Sequence, residues 1–197
     1  MRFISVGFLL FMICTHNVGA RSYNQNQQVI IPEKESTVMI GFTELENPDS
    51  WRITNDGVMG GKSKGHFLLI KNQGLFTGDI SLDNNGGFSS VFRKLEPLSS
   101  DLETVIIDIQ GDGLAYQLRM IVSLDGYRLS YKHNFNTVAG QRQKLTFTLA
   151  DFQASFRGRT LTDAPVLKSE DIRQVGFLVT RKVAGTFSLS VSGLIFK

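Results

Sequence analysis

The stretch NDGVMGGKS, residues 55 to 63, ends like a phosphate-binding loop, and phosphate chemistry would require two things of it. A glycine must stand five positions before Gly61, where a bare backbone N–H can meet a phosphate. That position is Asp56, whose carboxylate repels phosphates, and Gly57 comes one residue too late. A helix must also follow the serine, so that its positive end faces the anion. The following KGHFLLIKNQG is short and bounded by glycine. The stretch therefore does not read as a nucleotide site. Its glycines, Gly57, Gly60 and Gly61, read instead as a tight connection between strands, where positive φ or close backbone approach excludes a Cβ. In that reading Asp56 caps the turn by accepting backbone N–H groups, and Met59 fills the space beneath it. Direct contact of this turn with a ligand or partner stays open as the second reading.

Other reactive patterns are weaker. GFSSV at 87 to 91 resembles a nucleophile elbow, but Val91 stands where the second glycine belongs, and an elbow needs a strand followed by a helix. Outside the first twenty residues only His66 and His133 are available as bases, and nothing in their spacing points to a triad. DNNGG at 83 to 87 has the composition of a cation loop, yet an EF-hand starting at Asp83 would need glutamate where Lys94 stands. The sequence thus predicts a protein that is not an enzyme.

Short alternating runs must position whatever site there is. Val105, Ile107 and Ile109 share one face; so do Tyr116, Leu118, Met120 and Val122; so do Leu145, Phe147 and Leu149. Phe187, Leu189 and Val191 alternate with Ser188, Ser190 and Ser192. Period two means strands with one face buried and the other in water. VMIGFT, HFLLI, LFTGDISL, GFSSVFR, RLSYKH and VGFLVTR are further candidates, joined by DNNGG, GDG and DG turns. Only KSEDI near residue 170 suggests a helical turn. Many short antiparallel strands imply an all-β sandwich or barrel.

The chain has 197 residues, enough for one well-filled core. Residues 1–20 have the layout of a secretory signal: Arg2, an apolar run from Phe3 to Cys14, and a small-residue end at Val18-Gly19-Ala20. The apolar run is too short to span a bilayer. A polar arm follows over 21–37, with an apolar island at Val29 to Ile31, and the domain is expected over 38–197. The one cysteine, Cys14, lies within the signal, so the domain has neither disulfide nor cysteine metal site. Removing Arg2 from the 21 basic residues leaves 20 against 18 acidic ones, a net of +2. The basic residues are scattered along the sequence, which argues against nucleic acid as a partner.

The ordered blocks W…NDGVMGGKS, FTGDISLDNNGGFSSVFR, GDGLAYQLRM, DFQASFRGR and VGFLVTRKVAGTFSLSVSGL, from Trp51 to Leu194, resemble the complex I intermediate-associated protein 30 family. The resemblance implies a galactose-binding-domain-like jelly-roll β-sandwich, a fold shared with many carbohydrate-binding modules. It also implies a chaperone-like role in assembling respiratory NADH dehydrogenase, with subunits of that complex as protein partners in mitochondria or at a membrane. The secretory layout points instead outside the cell or to a periplasm, where a glycan is the alternative ligand. No cofactor is expected; a structural calcium, common in jelly-roll carbohydrate modules, stays open without a ligand set.

A glycan site would need aromatic platforms and a few polar groups. Loop residue Trp51, Tyr116, Tyr127 and Tyr131 are the aromatic candidates, although Tyr116 shares its face with Leu118 and Met120 and so reads as core. Arg119 points to the opposite face. Arg157 and Arg159 flank Gly158, and two forked guanidiniums there suit carboxylates on a partner or on the chain itself. The candidate binding residues are thus Trp51, Asp56, Met59, Ser63, Arg119, Arg157 and Arg159.

Overall fold

A computed structural model describes residues 36–43, 47–124, 126–156 and 159–197. The expected signal, most of the arm with its Val29 to Ile31 island, and Arg157 lie outside these residues. In chain order the strands are β1 (Val38–Ile40), β2 (Trp51–Asn55), β3 (Lys64–Ile70), β4 (Gln73–Ile80), β5 (Phe88–Lys94), β6 (Thr104–Gly111) and β7 (Ala115–Leu124). Then come β8 (Tyr127–Asn136), β9 (Arg142–Thr148), β10 (Gln153–Phe156), β11 (Arg159–Thr160), β12 (Ile172–Thr180) and β13 (Gly185–Phe196). They form two antiparallel sheets.

One sheet runs β3-β4-β13-β6-β9, with β1 pairing the last residues of β13. The other runs β11-β10-β8-β7-β12-β5-β2. β3–β4, β7–β8 and β10–β11 are hairpins of consecutive strands, but most neighbours are distant in sequence, as in a jelly roll. Among the described residues no helix is long and apolar enough to cross a membrane.

The alternating runs bury the faces that their periodicity assigns. Val105, Ile107, Ile109, Leu118, Met120, Leu189 and Val191 are sealed from solvent between the sheets. Phe76 meets Phe187 edge-on, with ring centroids 4.8 Å apart, a favoured aromatic geometry. Ser188 and Ser190 face away, as expected. A bulge between Val191 and Gly193 interrupts the β13–β6 register, and the last residues of β13 then pair with β1. KSEDI forms a 3-10 turn at Ser169–Asp171. Leu149 is buried in a 3-10 turn that follows β9.

Besides Leu149, read as a strand residue but lying in that turn, one further placement differs from the sequence reading. Trp51 is not a loop residue but the first residue of β2, paired with Arg93. Its indole is buried between Phe42, at 5.3 Å, and Phe67, at 4.8 Å between centroids. A lone tryptophan after a proline-containing turn looks like a rim residue. Its neighbours Phe42 and Phe67, remote in sequence, make it core.

Candidate functional site

The 55–63 turn is a structural device. Asp56–Met59 form a 3-10 turn that ends at Gly60 with φ of 90°, a conformation that glycine adopts without a steric penalty. Asp56 is fully buried. Its carboxylate accepts from the Ser63 N–H at 2.9 Å, the Gly87 N–H at 2.7 Å and the Phe88 N–H at 3.4 Å, and also from the Ser63 hydroxyl. Burial pushes this carboxyl upward, but the hydrogen bonds from Ser63, Gly87 and Phe88 outweigh it and hold the group below the usual carboxylate range. A Cβ on Gly61 would lie 2.4 Å from the Asp56 carboxyl, so the turn closes only over glycine. The Ser63 hydroxyl accepts in turn from the Ser81 N–H at 3.0 Å.

These contacts correct three expectations. Asp56 and Ser63 are buried and engaged with their own chain, so neither is a ligand contact. Met59 fills no gap; it stands 67% exposed and lines a cleft on the outward face of the seven-stranded sheet. Gly57 has open space around its Cβ position and no positive φ, so that glycine is not sterically required. Lys62 ion-pairs with Asp83 at 3.0 Å, and a strand follows Ser63 in place of the helix a phosphate loop needs.

The hydrolase pattern does not assemble. The FSSV of GFSSV opens β5, where Ser89 donates to Asn55 Oδ1 at 2.7 Å and Ser90 donates to the Thr54 carbonyl at 3.0 Å. Among the described residues no three His, Cys, Asp or Glu side chains gather into a metal cluster. Asp56, the buried carboxylate of this region, is faced by donors and does not fit a calcium ligand.

The outward face of the seven-stranded sheet is different. Cross-strand registers set one row of side chains across six strands: Arg52, Phe92, Gly176, Arg119, Lys132 and Gln153. A second row holds Thr54, Ser90, Leu178, Gln117 and Asn134. A third holds Lys94, Gln174, Ile121, Ser130 and Ser155. Ile121, Leu178, Ser90 and Ser155 point outward on their strands yet are buried, so this face is recessed. It forms a cleft of about 930 Å³ with Met59 and Phe156 among its lining residues. A neighbouring hollow of about 500 Å³ shares Phe92 and Arg128 with it and adds Arg52, Lys94 and Asp49. Gly176 leaves a gap in the central row, and Phe92 leans into it: its Cδ1 is 2.7 Å from where a Cβ would be.

Arg119 stands where its strand parity put it, on the face opposite Tyr116. Its Nε donates to Gln117 Oε1 at 2.9 Å, and burial holds its guanidinium below the usual arginine range. Arg159 pairs with Phe156 at the sheet edge, exposed. Of the aromatic candidates, Tyr116 and Tyr131 are core: their hydroxyls donate to Asp112 Oδ2 at 3.0 Å and to the Pro165 carbonyl at 2.8 Å. Burial and then the Asp112 charge push the Tyr116 phenol upward. The Tyr127 side chain lies outside the described residues. Sequence reading missed Phe88, Phe92, Ile121 and Leu178 as cleft residues. The available signal was an apolar residue on the outward parity of an alternating strand.

The chain matches the Complex I intermediate-associated protein 30 (CIA30) family over residues 40–191. It is 24% identical over 187 residues to the mitochondrial Complex I intermediate-associated protein 30 of Mus musculus, an alignment covering 84% of this chain and 56% of the mouse protein. The chain thus spans little more than half the length of that relative. Among solved structures, a family 11 carbohydrate-binding module of the cellulosomal cellulase Lic26A-Cel5E of Clostridium thermocellum superposes with a TM-score of 0.63 at 12% identity, covering 83% of this chain and 95% of the module. The module from that organism in complex with a β-1,3-1,4-mixed-linked tetrasaccharide gives 0.58 at 14% identity, covering 80% and 94%. At such identities the likeness is one of fold, a galactose-binding-like jelly roll. By the extent of the match over its sandwich, this chain belongs to the Complex I intermediate-associated protein 30 family.

Proposed function

We propose that the protein is a non-catalytic binding protein of the assembly-factor kind, which holds a segment of a respiratory complex I subunit on the outward face of its seven-stranded sheet. The observation that carries this reading is the recessed face itself. It combines an aliphatic and aromatic floor of Ile121, Leu178, Phe88 and Phe92 with the polar pair Gln117 and Arg119. A floor of that kind suits alternating apolar and polar side chains of a peptide. Membership of the family supports the choice of complex I as the client. The reading needs no cofactor.

The second reading is an exported carbohydrate-binding module. It draws on the hydroxyl and amide groups of Ser90, Ser130, Ser155 and Gln117 in the cleft, which suit sugar hydroxyls, and on the signal-like first twenty residues. Native crosslinking of a tagged full-length chain, followed by fractionation and mass spectrometry of its N-terminus and its neighbours, separates the two. The assembly reading expects respiratory subunits crosslinked to the cleft strands. A chain that begins at Arg21, lies outside the cytoplasm and carries no such subunits refutes it.

A further inference from the structure

The cleft and the adjoining hollow gather cations that are dispersed in the sequence. Arg52, Lys94, Arg119, Arg128 and Lys132 line them, and among the described lining residues Asp49 is the one carboxylate that faces them. None of the five forms an ion pair among the described residues, whereas Lys62, Arg142 and Lys168 elsewhere each have a carboxylate partner. Arg119 and Lys132 are direct cross-strand neighbours, an arrangement of like charges that destabilises a sheet. With Nε engaged by Gln117, the outer edge of the Arg119 guanidinium retains a fork of donors matched to a carboxylate.

We propose that this recess takes an acidic segment of a protein partner, with Arg119 as its carboxylate anchor and Lys132 beside it. The assignment rests on the binding reading above and specifies its ligand. Charge complementarity requires an anion. The rest of the lining selects a peptide, because aliphatic Ile121 and Leu178 and the exposed walls Met59 and Phe156 match apolar side chains between acidic ones. Among the described residues, the large aromatics with polar tips that would cradle a sugar ring, Trp51, Tyr116 and Tyr131, are buried in the core.

The test uses the full-length chain and a fluorescein-labelled peptide of four Glu-Leu repeats, with its Gln-Leu counterpart, read by fluorescence anisotropy. The expected result is at least tenfold tighter binding of the Glu-Leu peptide, weakened by added salt. Arg119→Gln and Lys132→Gln should each reduce affinity severalfold, while Lys144→Gln on β9 leaves it unchanged. Thermal melts establish that the variants fold, and Lys132 serves if Arg119→Gln does not. Equal affinity for the two peptides, or no effect of either cleft substitution in a folded variant, overturns the assignment. So does tighter binding, lost in the same variants, of an oligogalacturonate or an oligothymidylate. Respiratory subunits recovered by crosslinking without any acidic preference would overturn this assignment and leave the assembly reading standing. An acidic preference without those subunits supports it and removes the assembly reading.

Discussion

Replacing Asp56 tests whether the turn is held by one buried carboxylate. Two backbone N–H groups, from Ser63 and Gly87, donate to it at 2.9 and 2.7 Å, together with the Ser63 hydroxyl and a longer Phe88 contact. Hydrogen bonds to a charged acceptor contribute about 1.5–3 kcal/mol each, and a buried donor left unpaired costs about 1–3 kcal/mol. Partial relaxation and entry of water reduce the total, so Asp56→Ala should cost about 3–5 kcal/mol. Asp56→Asn should cost nearly as much, because its amide N–H₂ would face donors. At about 2–4 °C per kcal/mol for a domain of this size, the alanine variant should melt roughly 6–20 °C lower. The assay is urea unfolding followed at several pH values. The carboxyl is depressed in the folded state, so its stabilising contribution is present above the unfolded pKa of about 3.9 and is lost as pH falls through the lower folded value. The gap between wild type and variant should therefore be full at pH 7 and shrink on acidification below about pH 4. A cost under about 1 kcal/mol at pH 7, or a gap that grows with acid, refutes the reasoning.

The same turn offers a paired test by thermal melting. Gly61→Ala drives a Cβ to 2.4 Å from Asp56 and should destabilise by more than about 1–3 kcal/mol, whereas Gly57→Ala meets open space and should be neutral or stabilising by up to about 1 kcal/mol. Gly176→Ala brings a methyl group within 2.0 Å of the Val91 carbonyl; chemical denaturation should show a loss of several kcal/mol, roughly in the range for severe overpacking. Calcium or a chelator should leave the melting temperature unchanged to within about 1 °C, since a tightly bound structural ion would shift it through mass action by several degrees. Lys132→Glu places a carboxylate directly across from Arg119; it should stabilise the free protein by about 0.2–1 kcal/mol while abolishing binding of the acidic peptide.

The fold was legible because its strands obey period two. Phe187, Leu189 and Val191 fall inward, with Ser188 and Ser190 outward, and no tertiary contact is needed to assign them. Trp51 was not legible, because what makes it core is a pair of rings, Phe42 and Phe67, brought from other segments. The turn was half legible. Composition identifies Asp56 as a cap, but that it accepts from Gly87 and Phe88, about thirty residues later, depends on how β2 and β5 pair. The cleft was the least legible part. Its central row draws one residue from each of six strands, and only register places Arg52, Arg119 and Lys132 in one line. Cations that look scattered along the chain become a field when the sheet forms.

That field bears on what this face is for. The inward side of the seven-stranded sheet is filled by Leu118, Met120, Phe177 and Val175, all sealed from solvent, and its stability would be served by any soluble outward face. A neutral or mixed-charge exterior would satisfy the fold at lower cost than adjacent like charges on β7 and β8. Aliphatic Ile121 and Leu178 on the outward parity are likewise not needed by the core. Two departures from the simplest sandwich therefore coincide at one place, a pair of cations with no carboxylate partner among the described residues and apolar side chains in the rows on either side of it. Each alone is an ordinary surface irregularity. Their superposition on a recessed face is the arrangement that a binding site for an amphipathic anion requires, since the apolar floor excludes water and so strengthens the attraction between guanidinium and carboxylate.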